Sequence, residues 1–164
     1  MYGDIKNGKH LETDILKPSN PYSATKAASD QLILAWARTY ELPYIIVRPT
    51  NNYGVGQYVE KLIPKSIKYL DLGKKIPLHN NGTPIRNWLH AQDTADAVVK
   101  IIESQTSNEI FNIAGGFEQS NLDTVKKIVD GLMIQHKPIT KECLLRISLV
   151  KLEFHGIKLL NGGE

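Results

Sequence analysis

Asn20-Pro21-Tyr22-Ser23-Ala24-Thr25-Lys26-Ala27-Ala28-Ser29-Asp30 opens a stretch that reaches Tyr40 without a further glycine or proline. Past Pro43 comes the apolar run Tyr44-Ile45-Ile46-Val47. Asn20 is a residue type that caps helix N-termini, and Pro21 suits the first helical position. Ile33, Trp36 and Tyr40 follow helical spacing, so a helix is predicted over 22–40, with Pro43 ending it. Four continuous apolar, β-prone residues then predict a short buried strand of the parallel kind. A helix leading straight into such a strand is half of an α/β unit.

The flanking sequence repeats that alternation. Arg48-Pro49-Thr50-Asn51-Asn52-Tyr53-Gly54 reads as a polar loop. A helix is expected from Lys61 to Leu72, with Ile63, Ile67 and Leu70 on one face and Gly73 as its stop. Lys75 to His79 reads as a short strand, and Asn80-Asn81-Gly82-Thr83-Pro84 as a turn. Asn87–His90 is a further candidate strand. The next helix is expected to start at Asp93 or Thr94 and to carry Ala97, Val98, Ile101 and Ile102. Glu109-Ile110-Phe111-Asn112-Ile113-Ala114 reads as a strand stopped by Gly115-Gly116. Asn121 is expected to cap a last helix holding Leu122, Val125, Ile128, Val129 and Leu132. Strands alternating with helices at this spacing indicate the α/β class. Residues 1–136 read as one region, and 137–164 as a divergent tail in which 141–160 fit neither the helical nor the strand period.

The composition narrows the function classes. The 164 residues carry 20 Lys+Arg against 17 Asp+Glu, a net charge of +3 with no basic run, which speaks against a nucleic-acid partner. With 23% charged and 41% apolar residues the chain has the composition of a folded protein. The one cysteine, Cys143, can form no internal disulfide and excludes a cysteine-rich zinc site. His10, His90, His136 and His155 show neither ligand spacing nor a nucleophile partner, so no metal is expected. No apolar run approaches the ~20 residues of a membrane span, and the first residues are polar. A cytoplasmic protein without membrane attachment is expected.

Tyr22 and Lys26 stand four apart, so a helix places both on one face. A phenol titrates near ~10 and serves as an acid/base at neutral pH only with a cation beside it. A lysine one turn away supplies that cation and can also hold a ribose hydroxyl. Taken alone, such a pair is common on solvated helix surfaces. Four further segments follow it in the chain, namely Arg48–Gly54, Glu60-Lys61-Leu62-Ile63-Pro64, Arg86-Asn87-Trp88-Leu89-His90 and Asn112-Ile113-Ala114-Gly115-Gly116. Together and in this order they resemble the extended short-chain dehydrogenases/reductases, in particular the NAD-dependent nucleotide-sugar epimerases and dehydratases, over roughly residues 2–132. The pairing of Asn51-Asn52-Tyr53-Gly54 with Glu60–Pro64 resembles the 4,6-dehydratases among them.

The resemblance implies roles. Tyr22 would take the proton from the sugar 4-hydroxyl while NAD takes the hydride, and Lys26 would assist Tyr22 and bind the nicotinamide ribose. Asn52 would serve both cofactor and sugar-nucleotide, with Lys61 and Leu62 lining the same site. Pro77 and His79 would border the nucleotide base, His79 standing where relatives commonly carry tyrosine. Arg86 would pair with the diphosphate, and Asn112 would contact the nucleotide. Plain alternatives stand beside these roles: Asn51 and Asn52 as turn residues, Arg86 in a surface ion pair, Lys61 on a solvated helix face. Trp36 and Trp88 read as core or interface residues rather than base-stacking platforms.

The resemblance also implies what these 164 residues do not carry. A dinucleotide site needs a strand, a glycine-rich turn and a helix N-terminus. The nearest approach, Gly54-Val55-Gly56, lacks the third glycine and the helix at once after it. The Thr-Asp-Glu that resembled members use for water elimination would precede Met1, and their closing Arg-Pro-Gly-His is not seen in 133–164. The expected fold is therefore a partial Rossmann-like one without its N-terminal dinucleotide-binding half, plus elements of a small substrate lobe. Expected with it are a chain inactive alone, no NAD binding by the chain alone, and apolar surface favouring a homodimer, a larger oligomer or a separate N-terminal chain. The alternatives to a 4,6-dehydratase fragment are a 4-epimerase fragment and a non-catalytic, self-associating interaction module.

Overall fold

The computed structural model of the chain describes residues 1–5, 8–133 and 158–159. The described residues form two compact units, one of 1–49 with 96–113 and the other of 50–95 with 114–133. The expected change of character within 141–160 lies outside the described residues, apart from 158–159.

In the first unit, helix α1 spans Pro21–Tyr40. Asn20 starts it as the sequence suggests: its Oδ1 accepts the Ser23 N–H at 2.9 Å, and Ser23 Oγ accepts the Asn20 N–H at 3.2 Å. This reciprocal box satisfies two of the amides that a helix start leaves unpaired. The helix ends ahead of Pro43, where Glu41 turns left-handed (φ 54) and the Leu42 N–H returns to the Ala37 carbonyl. The buried residues of α1 are Ser23, Ala27 and Asp30, spaced i, i+4, i+7. Leu32, Ile33, Trp36 and Tyr40 stay between 42% and 61% exposed. The apolar spacing that reveals the helix is thus not the face that packs.

Strand β1, Ile45–Pro49, runs parallel to β4, Glu109–Ala114, with Ile46 opposite Ile110 and Val47 opposite Phe111. The two-residue strand β6, Lys158–Leu159, completes this sheet on the β4 side. Helix α3, Ala91–Glu103, begins two residues ahead of Asp93. Its Ala97 and Ile101 are buried, as are Ile46 and Ile113.

The second unit holds a mixed sheet. Strand β2, Asn51–Tyr53, pairs parallel with β3, Ile85–His90, and β3 pairs antiparallel with β5, Glu118–Ser120. Three expectations change here. The polar run 48–54 is not a loop throughout, because Asn51–Tyr53 find ladder partners in Trp88–His90. Lys75–Leu78 form no strand, and His79–Gly82 make a tight turn in which Asn80 and Asn81 both adopt positive φ, 47 and 52. Asparagine tolerates that region better than other side chains. The cap of helix α4, Asn121–Met133, is Ser120 rather than Asn121. Ser120 Oγ accepts the Asp123 N–H at 3.0 Å and donates to the Asp123 carboxylate at 2.6 Å.

Helix α2, Leu62–Asp71, ends at Gly73 (φ 63) as expected and packs with α4. Tyr53, Ile67, Trp88, Leu89 and Val125 are buried, with Leu89 1% exposed. Trp88 donates its indole N–H to Thr124 Oγ1 at 3.2 Å and is therefore core, whereas Trp36 is surface. A Cβ on Gly115 would lie 2.0 Å from the Trp88 carbonyl oxygen, so only glycine fits against β3 there.

Candidate functional site

In the first unit Tyr22 and Lys26 occupy the first two turns of α1. The Lys26 ammonium lies 5.9 Å from the centre of the Tyr22 ring, so the two share one face as their spacing predicts. Tyr22 is 72% exposed and Lys26 is exposed, which leaves both open to a ligand. The helix beneath them is fixed one turn further on. Asp30 accepts from Arg48 Nε at 2.8 Å, and the two side chains are only 9% and 7% exposed.

Arg48 also anchors the N-terminal segment. It donates to the Tyr2 hydroxyl and to the Glu12 carbonyl at 3.2 Å, and its guanidinium lies over the Tyr2 ring. Burial alone would lower the Arg48 pKa, but hydrogen bonds to Tyr2 and Asp30 outweigh it and hold the group above its ordinary value. Tyr2 stacks on His10 and donates to Asn112 Oδ1 at 2.8 Å. Asn112 further donates its N–H to Glu12 at 2.8 Å and its Nδ2 to the His10 carbonyl at 3.3 Å. The Asn112 amide thus serves the N-terminal segment in this state. Tyr2, Glu12, Asp30 and Arg48 escaped the sequence reading. A trace was present in Asp30, which continues the small-residue stripe of Ser23 and Ala27, and in an arginine closing an apolar strand.

The second unit carries the other candidates. Asn52, half-buried on β2, accepts the Thr94 hydroxyl at Oδ1 and, at its carbonyl, the Gln57 amide at 2.8 Å. It is a strand residue, not a turn residue. Lys61 immediately precedes α2 and lies 2.9 Å from the Glu60 carboxylate, with Leu62 as the first residue of the helix. Pro77 and His79 are exposed in the irregular stretch before β3. Arg86 is exposed on β3 and donates to the Ile85 carbonyl. Among the described residues no carboxylate forms an ion pair with it, so the surface-pair alternative has no partner there. Tyr53, beside Asn52, packs edge-on to Trp88 and His90, and burial followed by the Asp93 charge pushes its pKa from 10.0 up to about 12.

A dinucleotide needs a contact for its nicotinamide ribose and unpaired amides for its pyrophosphate. Tyr22 and Lys26 offer a hydroxyl and an ammonium on one exposed face. At α1 the Asn20–Ser23 box engages the Ser23 amide, whereas α2 begins at Leu62 with no side-chain cap. Gly54 packs against Ala91, and a Cβ there would approach Ala91 to 3.2 Å, so this glycine serves packing rather than a phosphate cradle. Among the described residues no three His, Cys, Asp or Glu side chains gather to hold a metal, and no helix is long and apolar enough to cross a membrane.

Comparison with known proteins adds to this geometry. The NAD dependent epimerase/dehydratase family matches residues 1–114. The dTDP-glucose 4,6-dehydratase of Neisseria gonorrhoeae is 44% identical over 130 residues, which are 78% of this chain and 38% of that protein. The crystal structure of dTDP-glucose 4,6-dehydratase from Bacillus anthracis in complex with NAD superposes with a TM-score of 0.77 at 40% identity, covering 80% of this chain and 43% of that one. UDP-glucuronic acid 4-epimerase from Bacillus cereus, in complex with UDP-glucuronic acid and NAD, gives 0.74 at 25% identity, covering 79% and 41%. The chain spans about two fifths of the length of the proteins it matches.

Proposed function

The chain belongs to the NAD dependent epimerase/dehydratase family, and on that premise we propose that it carries the sugar-nucleotide-handling part of a 4,6-dehydratase of the dTDP-glucose type. The observation that carries this reading is the level of identity on superposition, 40% to a dehydratase against 25% to a 4-epimerase, over a segment that retains Tyr22 and Lys26 on one exposed helix face. Both reactions open by oxidising carbon 4, so this pair alone does not separate them. An epimerase is the second reading, supported by the TM-score of 0.74.

NAD, when bound, supplies a hydride acceptor for carbon 4. Tyr22, as the phenolate, takes the proton from the 4-hydroxyl and becomes the neutral phenol, and Lys26 sets a positive charge beside that phenolate before the transfer. Asn52 offers its amide to the sugar-nucleotide and the cofactor end, with Lys61 and Leu62 along the same stretch. Arg86, without a carboxylate partner among the described residues, takes the diphosphate as a planar fork. Pro77 and His79 flank the base. Asn112 reaches the nucleotide only by exchanging Tyr2 or the His10 carbonyl for it. Eliminating water further requires a base at carbon 5 and an acid at the 6-hydroxyl, for which these residues offer no assigned pair. On this reading the 164 residues alone do not turn over the sugar-nucleotide and do not hold NAD. The setting is cytoplasmic, and the exposed face of α1 joins copies of the chain or a separate N-terminal chain.

The test is product analysis. The chain is incubated with dTDP-glucose and NAD and the sugar followed by proton NMR. No turnover is expected. Formation of a 4-keto-6-deoxy sugar would overturn the inactivity, and formation of the 4-epimer would overturn the dehydratase assignment.

A further inference from the structure

Resting on the nucleotide-sugar reading of Asn52, we propose that Thr94 is a positioning residue that fixes the orientation of the Asn52 amide, so that this site presents N–H donors and selects an oxygen acceptor of the ligand. Thr94 Oγ1 and Asn52 Oδ1 are 2.6 Å apart. That separation fits an O–H···O bond, at about 2.5–3.0 Å, better than an N–H···O bond, at about 2.7–3.2 Å. The amide oxygen therefore faces Thr94. A hydroxyl carries one proton, and the competing acceptor, the His90 carbonyl, lies 3.4 Å away, so the proton goes to Asn52.

The remainder of Asn52 is fixed as well. Its backbone stands opposite Leu89 in the β2–β3 ladder, and its carbonyl accepts from Gln57 Nε2 at 2.8 Å. With the oxygen engaged, the Asn52 NH2 has no acceptor among the described residues and is the group left for a ligand. A donor pair matches a phosphoryl or sugar-ring oxygen and rejects a ligand N–H at the same place. Without the Thr94 hydroxyl nothing holds the amide oxygen on the threonine side, and the amide can turn over to present the wrong atom.

Thr94→Val, Thr94→Ser and Asn52→Asp, each in the full 164-residue chain labelled with nitrogen-15, test this. The Asn52 side-chain amide resonances report orientation without any ligand, and titration with dTDP-glucose reports affinity. Thr94→Val is expected to shift the Asn52 amide pair and to weaken binding about tenfold, the scale of one lost hydrogen bond. Thr94→Ser, which keeps the hydroxyl, should stay within about twofold of the parent chain. Asn52→Asp should abolish binding of the anionic ligand. Parent-like amide shifts and affinity in Thr94→Val would overturn the positioning role, as would equal damage from serine, which would assign the effect to the methyl group. A parent chain that binds no dTDP-glucose would overturn the nucleotide-sugar reading and the ligand half of this proposal, while the amide shifts still decide whether Thr94 orients Asn52.

Discussion

Arg48 leaves an apolar strand with its guanidinium under the N-terminal segment, where Asp30, Tyr2 and the Glu12 carbonyl meet it. Removing one partner of a buried ion pair leaves the other charge uncompensated, at about 3–5 kcal/mol. Asp30→Asn should therefore lower stability by an amount in that range in urea unfolding, and the apolar pair Asp30→Leu with Arg48→Met should regain much of the loss. Tyr53 gives a pH signature. Its phenol is buried and titrates at about 12 instead of 10.0. A pKa raised by folding means that the folded chain holds the proton more tightly than the unfolded one. The contribution is present in full below pH 10 and is lost as pH rises from about 10 through about 12. Thermal unfolding across that window should show a shallower fall in Tm for Tyr53→Phe than for the parent chain.

At the scale of elements, the start of α1 depends on Asn20 and Ser23, and Asn20→Ala should cost about 1 kcal/mol in the same unfolding measurement. This start was legible because cap chemistry is local: one asparagine and one proline specify it. The parallel strand was legible at 44–47 for a similar reason, since an apolar run has few other uses, although the ladder carries it on through Arg48 and Pro49. Pairing partners were not. Asn51–Tyr53 carry a polar, turn-like signature and become a strand only because Trp88–His90 lie alongside. Lys75–Leu78 show the reverse, a strand-like run that lacks a ladder. At the site, the Tyr22–Lys26 face followed from helical period alone. The Thr94–Asn52 bond joins residues 42 apart in sequence, and no local pattern announces it.

At the scale of the whole chain, the proposed self-association rests on the apolar residues of α1. Leu32, Trp36 and Tyr40 are 61%, 56% and 58% exposed, and the Trp36 and Tyr40 rings lie tilted against each other with centres 4.7 Å apart. Aromatic residues left in water on one helix favour association. Sedimentation at micromolar concentration is expected to give a dimer or larger species, and Trp36→Asp with Tyr40→Asp to shift it toward monomer without loss of helix content. A monomeric parent chain would count against this surface.

On the proposed division of labour, these residues bind the sugar-nucleotide but do not hold NAD by themselves. Isothermal titration calorimetry of the 164-residue chain with dTDP-glucose and, separately, with NAD tests it most directly. Saturable heat with dTDP-glucose and none with NAD is the predicted result. Micromolar binding of NAD, or no binding of dTDP-glucose, would contradict it.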